Sequence, residues 1–225
     1  MTPAVLTIDL LDASGRQGMV DSCQAAMALS MRPYFVATGL SWPAPEGVRV
    51  SWLDVSDICE AVANLWEREE TRVVHCGVLG QTALVEAIQP LARKRPIPLV
   101  VHWWAHDGWT DRDAFRDQLL PLATILVTSF QGAEELTGLP VGERVDRRRV
   151  ARTLSHLGAP WILLYDEAGD EPEGLLWGPH HEEWLSGPML GGPRVSAAVS
   201  ALLAQHTSLV AAVHRACRWT MRRSE

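Results

Sequence analysis

Gly187-Pro-Met-Leu-Gly-Gly-Pro-Arg-Val-Ser-Ala-Ala-Val-Ser-Ala-Leu-Leu-Ala-Gln205 runs from a glycine-rich loop straight into a helical pattern. Val195, Ala198, Val199, Leu202 and Leu203 recur at i, i+3, i+4, i+7 and i+8, the spacing of one buried helical face. Pro193 fits a first helical position, where its fixed φ is already right and its missing N–H costs nothing. Two readings stand: a glycine-rich connection ahead of a core helix, or a loop that feeds an anion to the free N–H groups and positive dipole end of that helix.

At 225 residues, 47% of them hydrophobic, the chain is long enough for a substantial core, and one domain over residues 1–225 is expected. It contains no run of eighteen apolar residues, so no membrane span is expected. The opening MTPAVLTIDLLD carries Asp9 and Asp12 in its apolar stretch and no basic segment, unlike a secretory leader. Cys23, Cys59, Cys76 and Cys217 lack CxxC spacing and read as reduced thiols of a cytoplasmic protein. A net charge of −7 argues against a non-specific nucleic-acid or anionic-membrane binder. Lys94 is the sole lysine, so nearly every cation is an arginine, and ten tryptophans are unusual.

Outward from the opening stretch, apolar strands alternate with helical periodicities. Strands are expected at residues 4–9, 34–38, 71–76, 97–103, 123–127 and 161–165, with an edge strand at 48–53. Helices are expected at 19–31 (Val20, Cys23 and Met27 on one face), from 58 through Trp66 with Ser56-Asp57 as caps, after Gly80 to Lys94, at 111–120, 131–137 and 144–157, and twice after Arg194. Ser41-Trp-Pro-Ala-Pro-Glu-Gly47 reads as a breaker-rich connection, and residues 174–177 with 183–185 as a hairpin or edge strands. The alternation implies a mostly parallel sheet covered on both faces, a three-layer α/β/α sandwich, with ligands held beyond the carboxyl ends of the strands.

Several segments together resemble one family. They are Leu6-Thr-Ile with Asp12-x-Ser-Gly-x-x-Gly18, His75-Cys-Gly-Val-Leu-Gly80, the strand through Thr128 with Ala133-Glu134, and Ser196-Ala-Ala-Val-Ser-Ala-Leu-Leu-Ala204. In this order they resemble the hydroxymethylpyrimidine and hydroxymethylpyrimidine-phosphate kinases of thiamine synthesis, in the ribokinase superfamily. The resemblance implies a ribokinase-like fold, ATP and Mg2+ as co-substrates, a pyrimidine or other flat small-molecule ligand, and a homodimer. It places Asp12, Gly18, Trp42, Val78, His102 and Trp103 at the substrate, Ser129, Gly132 and Tyr165 at the nucleotide, and the amides of Gly191 and Gly192 at the transferred phosphoryl group.

The positions that carry chemistry depart from the pattern. The family's Gly-Thr-Gly-Cys anion hole, whose last residue is the general base, becomes Leu190-Gly191-Gly192-Pro193. Proline has neither a proton-accepting side chain nor an N–H for a developing charge. The Asn and Glu that organise magnesium become Ser129 and Gly132, an Asp-Pro becomes His102-Trp103, and a Lys-Gly-Gly becomes Tyr165-Asp166-Glu167. Phosphoryl transfer rests on positioning and on neutralising charge, and carboxylates beside a triphosphate oppose both. The expectation is a kinase homologue with impaired or lost catalysis; the alternative is a non-catalytic small-molecule-binding or regulatory protein on the same scaffold.

Three further patterns are open. His102-Trp-Trp-Ala-His106-Asp107 with His75 and Cys76 has metal-ligand residue types but no closed ligand spacing, so no metal site is expected. Trp42, Trp103, Trp104 and Trp109 form either an aromatic ligand pocket or core and interface. His180-His181-Glu182-Glu183 reads as a solvated turn and Arg147-Arg-Arg149 as an exposed helix face.

Overall fold

The computed structural model describes residues 2–15, 18–104, 110–166, 173–186 and 192–221. Among these, nine strands form a single sheet: β1 (Ala4–Asp12), β2 (Arg32–Ala44), β3 (Gly47–Trp52), β4 (Thr71–Cys76), β5 (Leu99–Trp103), β6 (Ile125–Ser129), β7 (Trp161–Tyr165), β8 (Glu173–Gly178) and β9 (His181–Ser186). Their order is β3-β2-β1-β4-β5-β6-β7-β8-β9. The six strands from β2 to β7 in that order run parallel, and β3, β8 and β9 are antiparallel additions at the two edges.

Helices cover both faces, so the parallel strands are buried on both sides and read as continuous apolar runs. One face is packed by α2 (Val55–Trp66), α3 (Thr82–Lys94), α5 (Phe130–Thr137) and α6 (Arg144–His156), whose apolar residues join Leu6, Ile8, Val74, Val101, Leu126 and Leu164 in one core. The other face takes α1 (Met19–Ala28), α7 (Gly192–Ala204) and α8 (Leu209–Met221). Fold class is therefore the three-layer, mostly parallel sandwich that the alternation implied. Helix α7 buries more than the expected stripe, since Ala197, Ala201 and Ala204 are enclosed along with Val195, Ala198, Val199 and Leu202. It lies between the sheet, α1 and α8, which accounts for a helix apolar nearly all round.

Local expectations need correction where side-chain periodicity was ambiguous. Helix α1 turns its Ala25, Ala26, Asp21 and Ser22 inward, while Met27 is 64% exposed. Small residues on that face let α7 approach closely, and this outweighs the larger side chains of the Val20–Cys23–Met27 stripe. The Ser41–Gly47 segment is mostly strand, because β2 continues to Ala44 and pairs with β3 through Ala44↔Gly47. Asp54, not Ser56 or Asp57, caps α2 by accepting the Ser56 N–H at 2.8 Å. The 111–120 helix is one α-turn, α4 (Arg112–Ala114), followed by a π-turn (Phe115–Leu119) and a 3₁₀-turn (Leu120–Leu122).

Two polar segments are also more structured than their composition suggested. Arg147 is no exposed helix residue: its side chain is 19% exposed, lies 4.0 Å above the Phe130 ring and pairs with Glu173 at 3.2 Å. Arg148 pairs with Glu182 at 2.5 Å, so α6 is fastened to the β8–β9 hairpin. His181-Glu182-Glu183 belongs to β9, where Glu183 accepts from His181 at 3.2 Å and from His214 of α8 at 3.0 Å.

The inward face of α1 yields a direct test. Ala25→Leu, at a fully enclosed position, should lower stability by about 1–3 kcal/mol through overpacking. Met27→Ala should move it by less than about 0.5 kcal/mol. Urea midpoints of the two variants decide the orientation, and equal losses would contradict it.

Candidate functional site

At the carboxyl ends of the parallel strands, alternate residues face α7. Four of them are polar and buried: Asp9 on β1, His75 on β4, His102 on β5 and Tyr165 on β7. They share the sheet face that carries Val5, Val73, Val100 and Leu163 into the α1–α7–α8 core.

His75 links three elements. Its Nδ1 lies 3.3 Å from Ser22 Oγ on α1, and its Nε2 lies 3.0 Å from Ser196 Oγ on α7. Ser196 donates its own proton to the Pro193 carbonyl at 3.0 Å, so it accepts from His75 Nε2–H. His75 Nδ1 is then the acceptor for the Ser22 hydroxyl. Burial pushes the His75 pKa down to about 4, which keeps the ring neutral as this direction of bonding requires. His102 Nε2 meets the Tyr165 hydroxyl at 3.1 Å, and burial, helped by His75, lowers its pKa to about 3. Neither histidine supplies a positive charge at neutral pH.

Helix α7 begins directly above this row. A methyl group added to Gly192 would overlap the Tyr165 hydroxyl and ring, so the first residue of the helix rests on the phenol and only glycine permits that approach. Pro193 follows with no N–H. Arg194 then turns away to α1, where its Nε donates to Asp21 at 2.7 Å. Burial raises the Asp21 pKa, and the Arg194 hydrogen bond offsets part of the rise.

Asp9 fills a notch made by two glycines. Its carboxyl would overlap a methyl group on Gly77 and lies 3.6 Å from the corresponding position on Gly18. Oδ1 accepts the Leu10 N–H at 2.8 Å and the Val78 N–H at 2.7 Å. Burial nevertheless raises its pKa to about 7, against those lowering bonds, and Asp21 adds to the rise. Val78, read as a substrate contact, therefore has its N–H engaged by Asp9 and its carbonyl by Thr38 Oγ1 at 2.8 Å. Gly18 takes φ +64 and bridges back to Leu11, and Asp12 accepts from Ser14, N–H at 3.1 Å, within the same turn.

The other sequence candidates are dispersed. Trp42 lies on the β2–β3 arm opposite Arg49, while Trp103 is buried on the other sheet face against Phe115, ring centroids 4.6 Å apart. Three strand intervals, about 14 Å, separate their strands. Ser129 caps α5 by accepting the Gly132 N–H at 3.1 Å, and a side chain at 132 would overlap Thr128 and crowd Trp103. Gly191, His106, Asp107, Trp109 and Glu167 lie outside the described residues. Asp9, the Asp21–Arg194 pair and Ser196 escaped sequence reasoning. An aspartate interrupting the apolar run of β1 was the one visible sign.

Protonation makes Asp9 measurable. With a folded pKa near 7 and an unfolded value of 3.8, the folded chain holds the extra proton between those limits, so this group's contribution falls as pH rises from about 4 to 7. His75 and His102 act oppositely: their depressed values cost stability as pH falls from 6.5 towards 4 and 3. Asp9→Asn keeps an acceptor for Leu10 and Val78 and removes the carboxyl's titration alone. Its stability relative to wild type should climb between pH 4 and 7 by on the order of 4 kcal/mol. Denaturation across that pH range checks this; a flat difference curve would mean an ordinary carboxyl.

Comparison with known proteins places this architecture. The chain is 28% identical to a hydroxymethylpyrimidine/phosphomethylpyrimidine kinase of Streptomyces coelicolor over 231 aligned positions, covering 95% of this chain and 86% of the relative. A crystal structure of phosphomethylpyrimidine kinase from Clostridium difficile superposes with a TM-score of 0.88, at 22% identity and 100% coverage of both chains. An ADP complex of Bacillus subtilis pyridoxal kinase gives a TM-score of 0.88 at 20% identity, covering 96% of this chain and 89% of that one. These two likenesses speak to the fold. The family profile described as phosphomethylpyrimidine kinase matches residues 12–224, nearly the whole sequence, and the chain belongs to the phosphomethylpyrimidine kinase family.

Proposed function

We propose that this protein keeps the small-molecule site of a hydroxymethylpyrimidine or phosphomethylpyrimidine kinase and has lost most of the phosphoryl transfer. The observation that carries the reading is Tyr165 beneath Gly192. Where the resemblance expects a lysine near the triphosphate, a phenol hydrogen-bonded to His102 fills the space under the first residue of α7. A phosphoryl group there would meet a neutral ring and a proline instead of a cation and an N–H.

The residues in place fit ATP and Mg2+ poorly. His75 and His102 are uncharged, Ser129 Oγ is committed to the α5 cap, and Gly132 has no room for a carboxylate. Each change removes neutralising charge or a ligand that phosphoryl transfer depends on. The polar row, by contrast, is internally satisfied, as expected of a site reorganised around neutral hydrogen bonds. On this reading the ligand is a flat heterocycle such as a hydroxymethylpyrimidine, bound by a protein of one domain, cytoplasmic as its scattered cysteines imply and homodimeric as the resemblance implies. Among the described residues no helix is long and apolar enough to cross a membrane.

Turnover tests the reading. Wild-type protein with magnesium ATP and hydroxymethylpyrimidine, or its monophosphate, should fall at least about a hundredfold below the roughly 1–100 s⁻¹ usual for kinases. Tyr165→Lys combined with Pro193→Cys should raise the rate, because the first returns a cation and the second a base and an N–H. Ordinary kinase turnover by the wild type would overturn the proposal.

A further inference from the structure

On the helical layer formed by α1, α7 and α8, away from the strand ends, two depressions share Trp219 as a wall. The larger, about 250 Å³, is lined by Leu29, Leu202, Arg215, Arg218 and Trp219. The smaller is a narrow cleft between Asp21, Gln24, Arg194, Trp219 and Thr220. Arg215, Arg218 and Trp219 fall at i, i+3 and i+4 of α8 and so share one face of that helix.

The larger hollow combines an apolar floor, an aromatic wall and a cationic rim. Leu29 supplies the accessible floor, with the enclosed Leu202 beneath it, and the Trp219 indole the wall. Arg215 is steadied by Thr207, Nη1 to Oγ1 at 3.3 Å, and among the described residues neither Arg215 nor Arg218 has a carboxylate within ion-pair distance. Among the described residues 192–221 there is no Asp or Glu, and of the three arginines there Arg194 is paired with Asp21 while Arg215 and Arg218 stand at the rim. The rim is therefore a local surplus of positive charge. The carboxyl end of α1, which would repel an anion, is largely quenched: Ala25, Ala26 and Met27 carbonyls are taken by following N–H groups, and Leu29 accepts from Gln205 Nε2 at 2.6 Å.

We propose that this hollow is a second ligand site, for a single aromatic or heteroaromatic ring bearing a phosphate or carboxylate. The ring lies against Trp219 and Leu29, and the anion is held between the two guanidinium groups. A volume of about 250 Å³ is below the range usual for larger ligands, which limits the occupant to one ring. From Leu202 the axis of α7 leads to Gly192 over ten residues, about 15 Å, so the hollow is distinct from the strand-end site. Trp219 also walls the cleft holding the Arg194–Asp21 pair, which gives the hollow a structural connection to the first turn of α7. The proposal does not depend on whether the strand-end site turns over.

Calorimetric titration with phenyl phosphate and with benzoate tests it, with inorganic phosphate and benzyl alcohol supplying the anion and the ring separately. Wild type should show one saturable site for at least one ring-bearing anion, weakened by added salt, with each half-ligand markedly weaker. Arg215→Gln with Arg218→Gln should weaken that site by about tenfold or more. Arg218→Gln alone, at an exposed position, serves if the pair unfolds the chain, and should still weaken binding severalfold. Preference for phenyl phosphate or for benzoate identifies the anion. No saturable binding of either by wild type, or unchanged affinity in folded arginine variants, would overturn the proposal.

Discussion

The contact between Gly192 and Tyr165 governs how this molecule is put together at the carboxyl ends of its parallel strands. Helix α7 is enclosed by the sheet, α1 and α8, so it has little freedom to shift along its axis. Its first residue is set against a phenol that is itself buried and bonded to His102. Ser196 and Ser22 then tie the same turn and α1 to His75. A phosphoryl group entering from above would have to displace a packed side chain, not water, before reaching the helix dipole.

Charge follows the same pattern. Burial works in opposite directions on acids and bases: it holds His75 and His102 unprotonated, and it raises the Asp9 pKa to about 7. A buried row of uncharged hydrogen bonds is cheap to keep and poor at receiving a triphosphate. Among the described residues, arginines sit on the α6 ladder over Phe130 and Trp184, on Asp21, and on the rim of the α8 hollow.

Much of the fold was legible because buried parallel strands and the α7 face impose strong periodicity. Val195, Ala198, Val199 and Leu202 are buried as their spacing implied. Elsewhere a tertiary neighbour overrode the local pattern. Met27 looked like core, but the close approach of α7 selects the Ala25–Ala26 face. Pro43 looked like a breaker, yet past Ser41 β2 pairs only with β3, so the proline deprives no inner ladder of a donor. At the site, the resemblance marked Tyr165 and Pro193 as departures and Gly192 as a match, but said nothing of the contact between Gly192 and Tyr165. Asp9 and Ser196 went unnoticed because their partners, Val78 and His75, are distant in sequence.

Nucleotide affinity bears most directly on the claim that Tyr165 and a neutral row have replaced a triphosphate site. Titration of the wild-type protein with the magnesium complex of a non-hydrolysable ATP analogue separates binding from chemistry. The account predicts no saturable binding tighter than about millimolar for the wild type, and measurable tightening in Tyr165→Lys. Micromolar affinity in the wild type would contradict it, and would mean that α7 accepts phosphate with Tyr165 in place.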